Sequence, residues 1–450
     1  MIPFSLIVRN GTLVTASDRR EVDIGIADGR IAAIVPRGEL PLPADEVIDA
    51  SGLHIIAGLI DGHVHFREPG LEHEETWLTG TRAAVMGGVT TVLEMPNTLP
   101  PTDTAERARA KLDLAARSAY CDFGMLGLVG PSIEPLATLV EPGLVVGLKV
   151  FLGPTTGGLS APGNDDLRRA LVTARDAGLR VAFHAEDRSI VEGAEERLRA
   201  EGRTDSLAHL ESRPITAELA AIDRIGRLLE ETGAAGHVLH VSSRDGLEAI
   251  DRWAGRADLT SEVTPHHALL SRDVYRDGGL ARVNPPIRGE PHSSALLAAL
   301  VDGQFEVVAS DHAPHLADDK RDGSIWDVPS GFAGVETLLP LLLTHAVDFA
   351  GMSLERLTNV TAAGPASIWR LARKGWVRQG FDADLTLVDL DREGVISADR
   401  LHGKNNATPF EGWRTRGAPV ATIVRGRVVM RDGQLLAEPG WGRPVTRGSS

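Results

Sequence analysis

Two histidines one residue apart, His63 and His65, stand in the segment Asp61-Gly-His63-Val-His65-Phe-Arg67-Glu-Pro-Gly70. The apolar run Leu53 to Ile60 before them reads as a buried strand. Residues two apart on a strand project to one side, so both imidazoles would face one place, as in half of a metal site. Surface and core histidines also occur in such pairs, and four further segments decide the reading. Val145-Val-Gly-Leu-Lys149-Val-Phe-Leu152 sets a lysine in mid-strand, in a chain where only 5 of 47 basic residues are lysine. An unpaired ammonium is costly to bury there and shifts toward the neutral amine. A neutral amine can add carbon dioxide to give a carbamate, an anionic oxygen ligand able to bridge two metal ions. The plainer reading of Lys149 is a side chain snorkelling from a strand end. Val181-Ala-Phe-His184, His237-Val-Leu-His240 and Val307-Val-Ala-Ser-Asp311 each run from an apolar stretch into a histidine or aspartate. In a parallel α/β barrel such ends form the C-terminal rim, where chemistry is placed. Imidazole, amine and carboxylate ligands without thiolates suit zinc and its neighbours in a catalytic rather than a structural site.

The elements that must carry these groups alternate. Between Ile55 and Arg373, apolar β-like runs are interleaved with helical patterns at Glu75 to Met86, Asp103 to Ser118, Asp166 to Ala177, Ile215 to Glu231, Ser293 to Val301 and Val335 to Phe349. That alternation predicts an α/β protein with a parallel sheet, here a (β/α)8 TIM barrel of about 315 residues, against ~250 for the usual case. Its strands are expected to end near His65, Glu94, Leu128, Phe151, His184, His240, Thr264 and Asp311. An open doubly wound sheet is the alternative, but no Gly-rich phosphate loop follows the first strand. Short strands flank the barrel at Leu6 to Arg9, Thr12 to Val14, Val22 to Ile26 and Arg30 to Val35, with hairpin signals at Asn10-Gly11 and Asp28-Gly29. Asp384 to Asp389, Pro419 to Arg425 and Arg427 to Met430, with a turn at Asp432-Gly433, repeat the pattern near the other end. One small β-sandwich-like domain from residues 1–54 and 375–450 is therefore expected, with the barrel at 55–374 inserted between, and a polar tail over 446–450.

Composition narrows the class without naming a reaction. A net charge of −15 and few aromatic residues argue against nucleic acid or an anionic membrane surface as partner. A lone Cys121 excludes an internal disulfide framework. No run reaches the ~18 to 20 apolar residues of a membrane span, and the first residues lack a basic start and a cleavage site. The expected location is the cytoplasm.

The motifs, taken in order, carry a resemblance. Gly62-His-Val-His-Phe-Arg-Glu-Pro-Gly70, Glu94-Met-Pro-Asn97-Thr98, Gly147-Leu-Lys-Val-Phe-Leu-Gly153, Val283-Asn-Pro-Pro-Ile-Arg288, Ser310-Asp-His-Ala-Pro-His315, Gly334-Val-Glu-Thr-Leu-Leu-Pro340 and Asn406-Ala-Thr-Pro-Phe-Glu-Gly-Trp413 span nearly the whole chain. Together they resemble the metal-dependent amidohydrolases and, within the cyclic amidases, most closely the dihydroorotases. The resemblance implies two divalent ions, zinc in the first place, bridged by an N-carboxylated Lys149. His63 and His65 would hold one ion with Asp311, and His184 and His240 the other. Asp311 would act as base and then acid, since one carboxylate can take and return the proton. It further implies that Arg67, Asn97 and His315 bind the substrate carboxylate, with Arg67 projecting to the same side as His65 and offering its planar fork. The alternative for Arg67 is a surface salt bridge with Glu68 or Glu72. Asn284, Thr155 on the Gly153 to Gly158 loop, and Gly331 through its backbone are expected to touch the substrate. Ser330 stands where some relatives carry Phe, Glu262 and His266-His267 are accessory candidates, and Trp77 is reminiscent of allantoinases. The implied activity is reversible hydrolysis of dihydroorotate to carbamoyl aspartate in pyrimidine synthesis, by a homodimer able to associate with aspartate transcarbamoylase. An allantoinase or hydantoinase is the nearest alternative, and a metal-free scaffold subunit a more distant one.

Overall fold

The computed structural model describes residues 4–40, 44–155, 158–320 and 323–448. Eight parallel strands follow one another around a barrel: β1 (Leu59–Val64), β2 (Val89–Glu94), β3 (Asp122–Leu128), β4 (Gly147–Phe151), β5 (Arg180–His184), β6 (Ala235–Val238), β7 (Asp258–Val263) and β8 (Val307–Val308). The ring closes where Val64 bridges to His312 and the His65 N–H donates to the His312 carbonyl at 2.7 Å. β1 to β4 are buried along their whole length, as expected of a parallel sheet covered on both faces.

The covering helices form where the apolar stripe recurs and where a cap allows them to start. Thr104 accepts the Arg107 N–H to begin Ala105–Ser118, and Gly233, with φ 67°, ends Ile215–Thr232 in the left-handed conformation that glycine tolerates. Inside the barrel, Ile60, Leu93, Leu126, Val146, Ala182 and Leu239 meet the indole of Trp369, which enters from the segment after the last helix. A Cβ on Gly147 would lie 2.4 Å from that indole, so glycine is required for the ring to fill the base of the barrel.

The terminal segments build one nine-stranded mixed sheet. From one edge its strands are Gln434–Leu435, Arg427–Arg431, Arg414–Val424, Leu385–Val395, His54–Ala57, Phe4–Val14, Arg19–Ala27 and Arg30–Pro36, with Ala44–Asp49 also pairing with Phe4–Val14. Its N-terminal and C-terminal strands share a single apolar core, among them Ile24, Ile55, Leu385 and Ile423. Asn10-Gly11 differs from the hairpin expected there: it is a bulge within one continuous strand, Asn10 having φ 63°. The bulge moves that strand from pairing with Ala44–Asp49 to pairing with His54–Ile55, and Gly11 leaves room for Ile55, which a Cβ would meet at 2.5 Å.

The chain passes from this sheet into the barrel at Gly58. Near its other end it returns to the barrel base, where Val445 N–H donates to Phe123 and Phe123 N–H to Arg443. The described part of the polar tail lies there, and Ser449 and Ser450 fall outside the described residues. Lys374 fixes the junction between sheet and barrel. Its ammonium lies 2.5 Å from Asp122 and 2.6 Å from Asp384, all three buried. Among the described residues, no helix is long and apolar enough to cross a membrane.

Candidate metal centre and substrate cavity

His63, Lys149 and His184 sit on β1, β4 and β5, and His65, His240 and Asp311 lie one to three residues beyond their strands. All six line one cavity at the C-terminal rim. His63 and His65 each aim Nε2 at Asp311 Oδ1, at 3.3 and 3.2 Å, and His184 Nδ1 approaches His240 Nε2 at 3.1 Å. His63, His240 and Asp311 bring one ligand atom each within 4.8 Å of one another. His240 and Asp311 hold left-handed backbones, with φ 38° and 48°, which non-glycine residues adopt at a cost of ~1–3 kcal/mol and retain mainly at functional sites.

A second layer of side chains fixes the imidazoles. Glu262 accepts from His63 Nδ1 at 2.7 Å and from the His240 N–H at 3.3 Å, and its other oxygen meets His237 Nε2 at 3.1 Å. Asn97 Oδ1 accepts from His65 Nδ1 at 2.7 Å, and Glu186 accepts from His184 Nε2 at 2.8 Å. Each partner occupies one ring nitrogen and directs the other into the cavity, the arrangement that orients metal-binding histidines. His240 Nδ1 is buried with no hydrogen-bond partner.

Burial dominates the electrostatics. It lowers the pKa of His184 and His240 and takes His65 to about 3, so these rings are neutral and able to ligate. Burial also brings the Lys149 amine down to about 7, against the pull of Asp311 and Glu262. Burial alone would push the Asp311 carboxyl up, but His63 and His65 outweigh it and hold it well below the usual range. Neutral imidazoles, an ionised carboxylate and an amine poised near neutrality fit a pair of divalent cations.

Arg67 is buried on the cavity wall, yet not by continuing the strand. Its φ is 64°, so the period-two argument ends at His65. Its partner is Glu74 rather than Glu68 or Glu72: Arg67 Nε lies 3.1 Å from Glu74 Oε2, at an angle unsuited to a hydrogen bond. Arg67 Nη2 is 3.0 Å from His315 Nε2, and His315 Nδ1 is 2.8 Å from Glu74 Oε1. His315 Nε2 also lies 3.0 Å from the Ser330 carbonyl, so the imidazole is wedged among Arg67, Glu74 and Ser330, and Arg67, His315 and Glu74 close a ring of three side chains. His315 is not among the residues that line the cavity, whereas Arg67 is.

The remaining substrate candidates divide. Asn97, Asn284, Thr155, Ser330 and Gly331 all line the cavity. Asn284 Oδ1 accepts from the Ser330 hydroxyl at 3.2 Å. The Gly331 N–H is spent on the Arg282 carbonyl and is not free to read a ring amide. Thr156 and Gly157 of the Gly153 to Gly158 loop fall outside the described residues. His267 bonds Thr264 and the Pro285 carbonyl, and with His266 packs outside the cavity, His266 against Phe332. Trp77 packs edge-on against Phe66 in the barrel wall. Glu74, Glu186 and His237 were not singled out from the sequence. Glu186 was within reach, two residues past His184, whereas Glu74 reveals itself only by folding against Arg67.

Comparisons with known proteins agree with this geometry. The Amidohydrolase family profile matches residues 54–429. A dihydroorotase of Halobacterium salinarum is 41% identical over 423 residues, covering 92% of this chain and 97% of that protein. An allantoinase of Rubrobacter xylanophilus is 37% identical over 444 residues, covering 98% and 97%. The solved structure of the L-hydantoinase (dihydropyrimidinase) from Arthrobacter aurescens superposes with a TM-score of 0.95 at 33% identity, over 99% of this chain and all of that one.

Proposed function

The chain belongs to the amidohydrolase family, and from that premise we propose that this cyclic-amide hydrolase is a dihydroorotase, interconverting dihydroorotate and carbamoyl aspartate in pyrimidine synthesis. The observation that carries the substrate choice is Arg67, a buried cation that lines the same cavity as Asn97 and the candidate metal-binding side chains. A ring bearing a carboxylate is the cyclic amide such a cation selects. Two divalent ions, zinc being the first expectation, would be held by His63, His65, His184, His240, Asp311 and an N-carboxylated Lys149, and would acidify a water and polarise the amide carbonyl.

The chain's own groups do the rest. Asp311, ionised and 3.2 Å from His65, takes the proton of the attacking water as the new C–O bond forms, and gives it to the ring nitrogen as the C–N bond breaks. Ring closure runs the same steps backward, the carboxylate then accepting a proton from the carbamoyl nitrogen. Arg67 and Asn97 fix the far end of the ring so that the scissile carbonyl faces Asp311.

One observation favours a second reading. Arg67 is already neutralised by Glu74 and shares Nη2 with His315, which suits an uncharged ring such as allantoin or a hydantoin. A non-catalytic scaffold is disfavoured by the convergence of all six ligand side chains. The test is hydrolysis by metal-analysed protein of dihydroorotate beside allantoin and dihydrouracil. Turnover of dihydroorotate to carbamoyl aspartate is expected. Turnover of allantoin or dihydrouracil in its place keeps the metal chemistry and overturns the substrate.

A further inference from the structure

We propose that the segment Arg213-Pro-Ile-Thr-Ala-Glu218 is a clip that positions His184 and His240, and that cutting it costs the protein one metal ion selectively. The inference rests on the binuclear reading above, which gives these two histidines to the same ion. Arg213 follows the short helix Ser206–Ser212, and Glu218 lies in the first turn of Ile215–Thr232. The two ends of the segment reach different strand ends.

At one end, Arg213 Nη1 donates to Glu186 Oε2, the oxygen that also accepts from His184 Nε2 at 2.8 Å. The His184 ring is therefore set by a carboxylate that Arg213 sets in turn. Arg213 Nη2 donates to the Pro154 carbonyl at 2.8 Å, tying the same guanidinium to the residue before Thr155. At the other end, Glu218 Oε1 accepts the Ser242 N–H at 2.8 Å and Oε2 accepts the Ser243 hydroxyl at 2.5 Å. Those residues lie two and three positions past His240. Arg288 closes the structure, with Nη1 on the Arg213 carbonyl at 2.5 Å and Nε on the Ser242 hydroxyl at 3.1 Å.

All four charged side chains are buried, Glu186 completely. Buried ions are weak devices for stability, and their best-attested use is to fix one geometry. His240 has most need of one: its ring Nδ1 has no partner, so its place depends on its left-handed backbone. His63 and His65 are held by Glu262 and Asn97, neither of which touches the clip. Loss of the clip should therefore be felt at one ion and not at the other, which a merely structural role would not produce.

The experiment is a zinc titration of metal-free wild type, Arg213→Met, Arg213→Lys and Glu218→Gln, read as ions bound per chain and their affinities. The wild type should take two ions. Arg213→Met and Glu218→Gln should keep one at wild-type affinity and bind the other about 10- to 100-fold more weakly, and Arg213→Lys should recover part of the loss. If Arg213→Met does not fold, Glu218→Gln carries the test from the opposite end. Two ions at unchanged affinity in the variants, or equal weakening of both, overturns the clip alone. Fewer than two ions in the wild type overturns the binuclear reading on which it rests.

Discussion

The candidate metal-binding side chains of the cavity come from β1, β4 and β5 or from the residues just past β1, β6 and β8, whereas the lining residues Arg67, Thr155, Asn284 and Gly331 come from loops. The first group lies on the strands or within three residues of their ends, His240 and Asp311 turning through left-handed backbones. The second is carried by the connecting loops, where Glu74 and His315 grip Arg67. On the proposed reading, a strand-borne set of metal-binding side chains joined to loop-borne residues that select the ring accounts for how relatives named dihydroorotase, allantoinase and hydantoinase share one architecture.

That division yields graded effects. The largest belongs to the strand-borne set: Asp311→Asn should lower kcat on every cyclic amide by about 10³-fold, measured with metal content in hand, since it removes the proposed proton carrier. An effect confined to one substrate would break the division. Arg67→Met should lower kcat/KM for dihydroorotate by about 100-fold through loss of a charged hydrogen bond, and leave uncharged rings nearly unaffected. Asn97→Ala straddles the two ends. It removes the His65 Nδ1 partner and should weaken one ion about 10-fold, seen by metal titration, while also raising KM.

The smallest effect concerns stability. Burial pushes Glu74 up, but His315 and Arg67 prevail and hold its pKa below the ordinary value of 4.5. Its contribution is therefore present above pH 4.5 and lost as pH falls through the lowered folded value. Glu74→Gln should cost about 1 kcal/mol in urea unfolding at pH 7, and the difference from wild type should shrink on acidification.

The same contrast explains what the sequence made legible. Metal-ligand positions follow from two periodic facts, apolar strands and polar strand ends, both visible in a single chain. The barrel and the terminal sheet were legible for the same reason, though Asn10-Gly11 deceived because a bulge and a hairpin begin with the same residues. What stayed hidden are pairings across great sequence distance. Glu262 is 199 residues from His63 and His315 is 248 from Arg67, and no local pattern joins them. Arg67 lines the cavity, but not by the strand period from which it is expected to face His65, since its positive φ takes it off the strand. Arg213 and Glu218 read as ordinary helix-terminal charges until the fold buries them.

The central claim is that the metal end sets the reaction and the Arg67 end sets the substrate. Its most direct test is the ratio of kcat/KM for dihydroorotate to that for dihydrouracil, measured in wild type and in Arg67→Met at equal metal content. The account predicts a high ratio in the wild type that falls by about 100-fold in the variant, with dihydrouracil turnover nearly unchanged. A ratio that does not move, or a parallel loss on both substrates, would contradict it and make Arg67 a structural partner of Glu74.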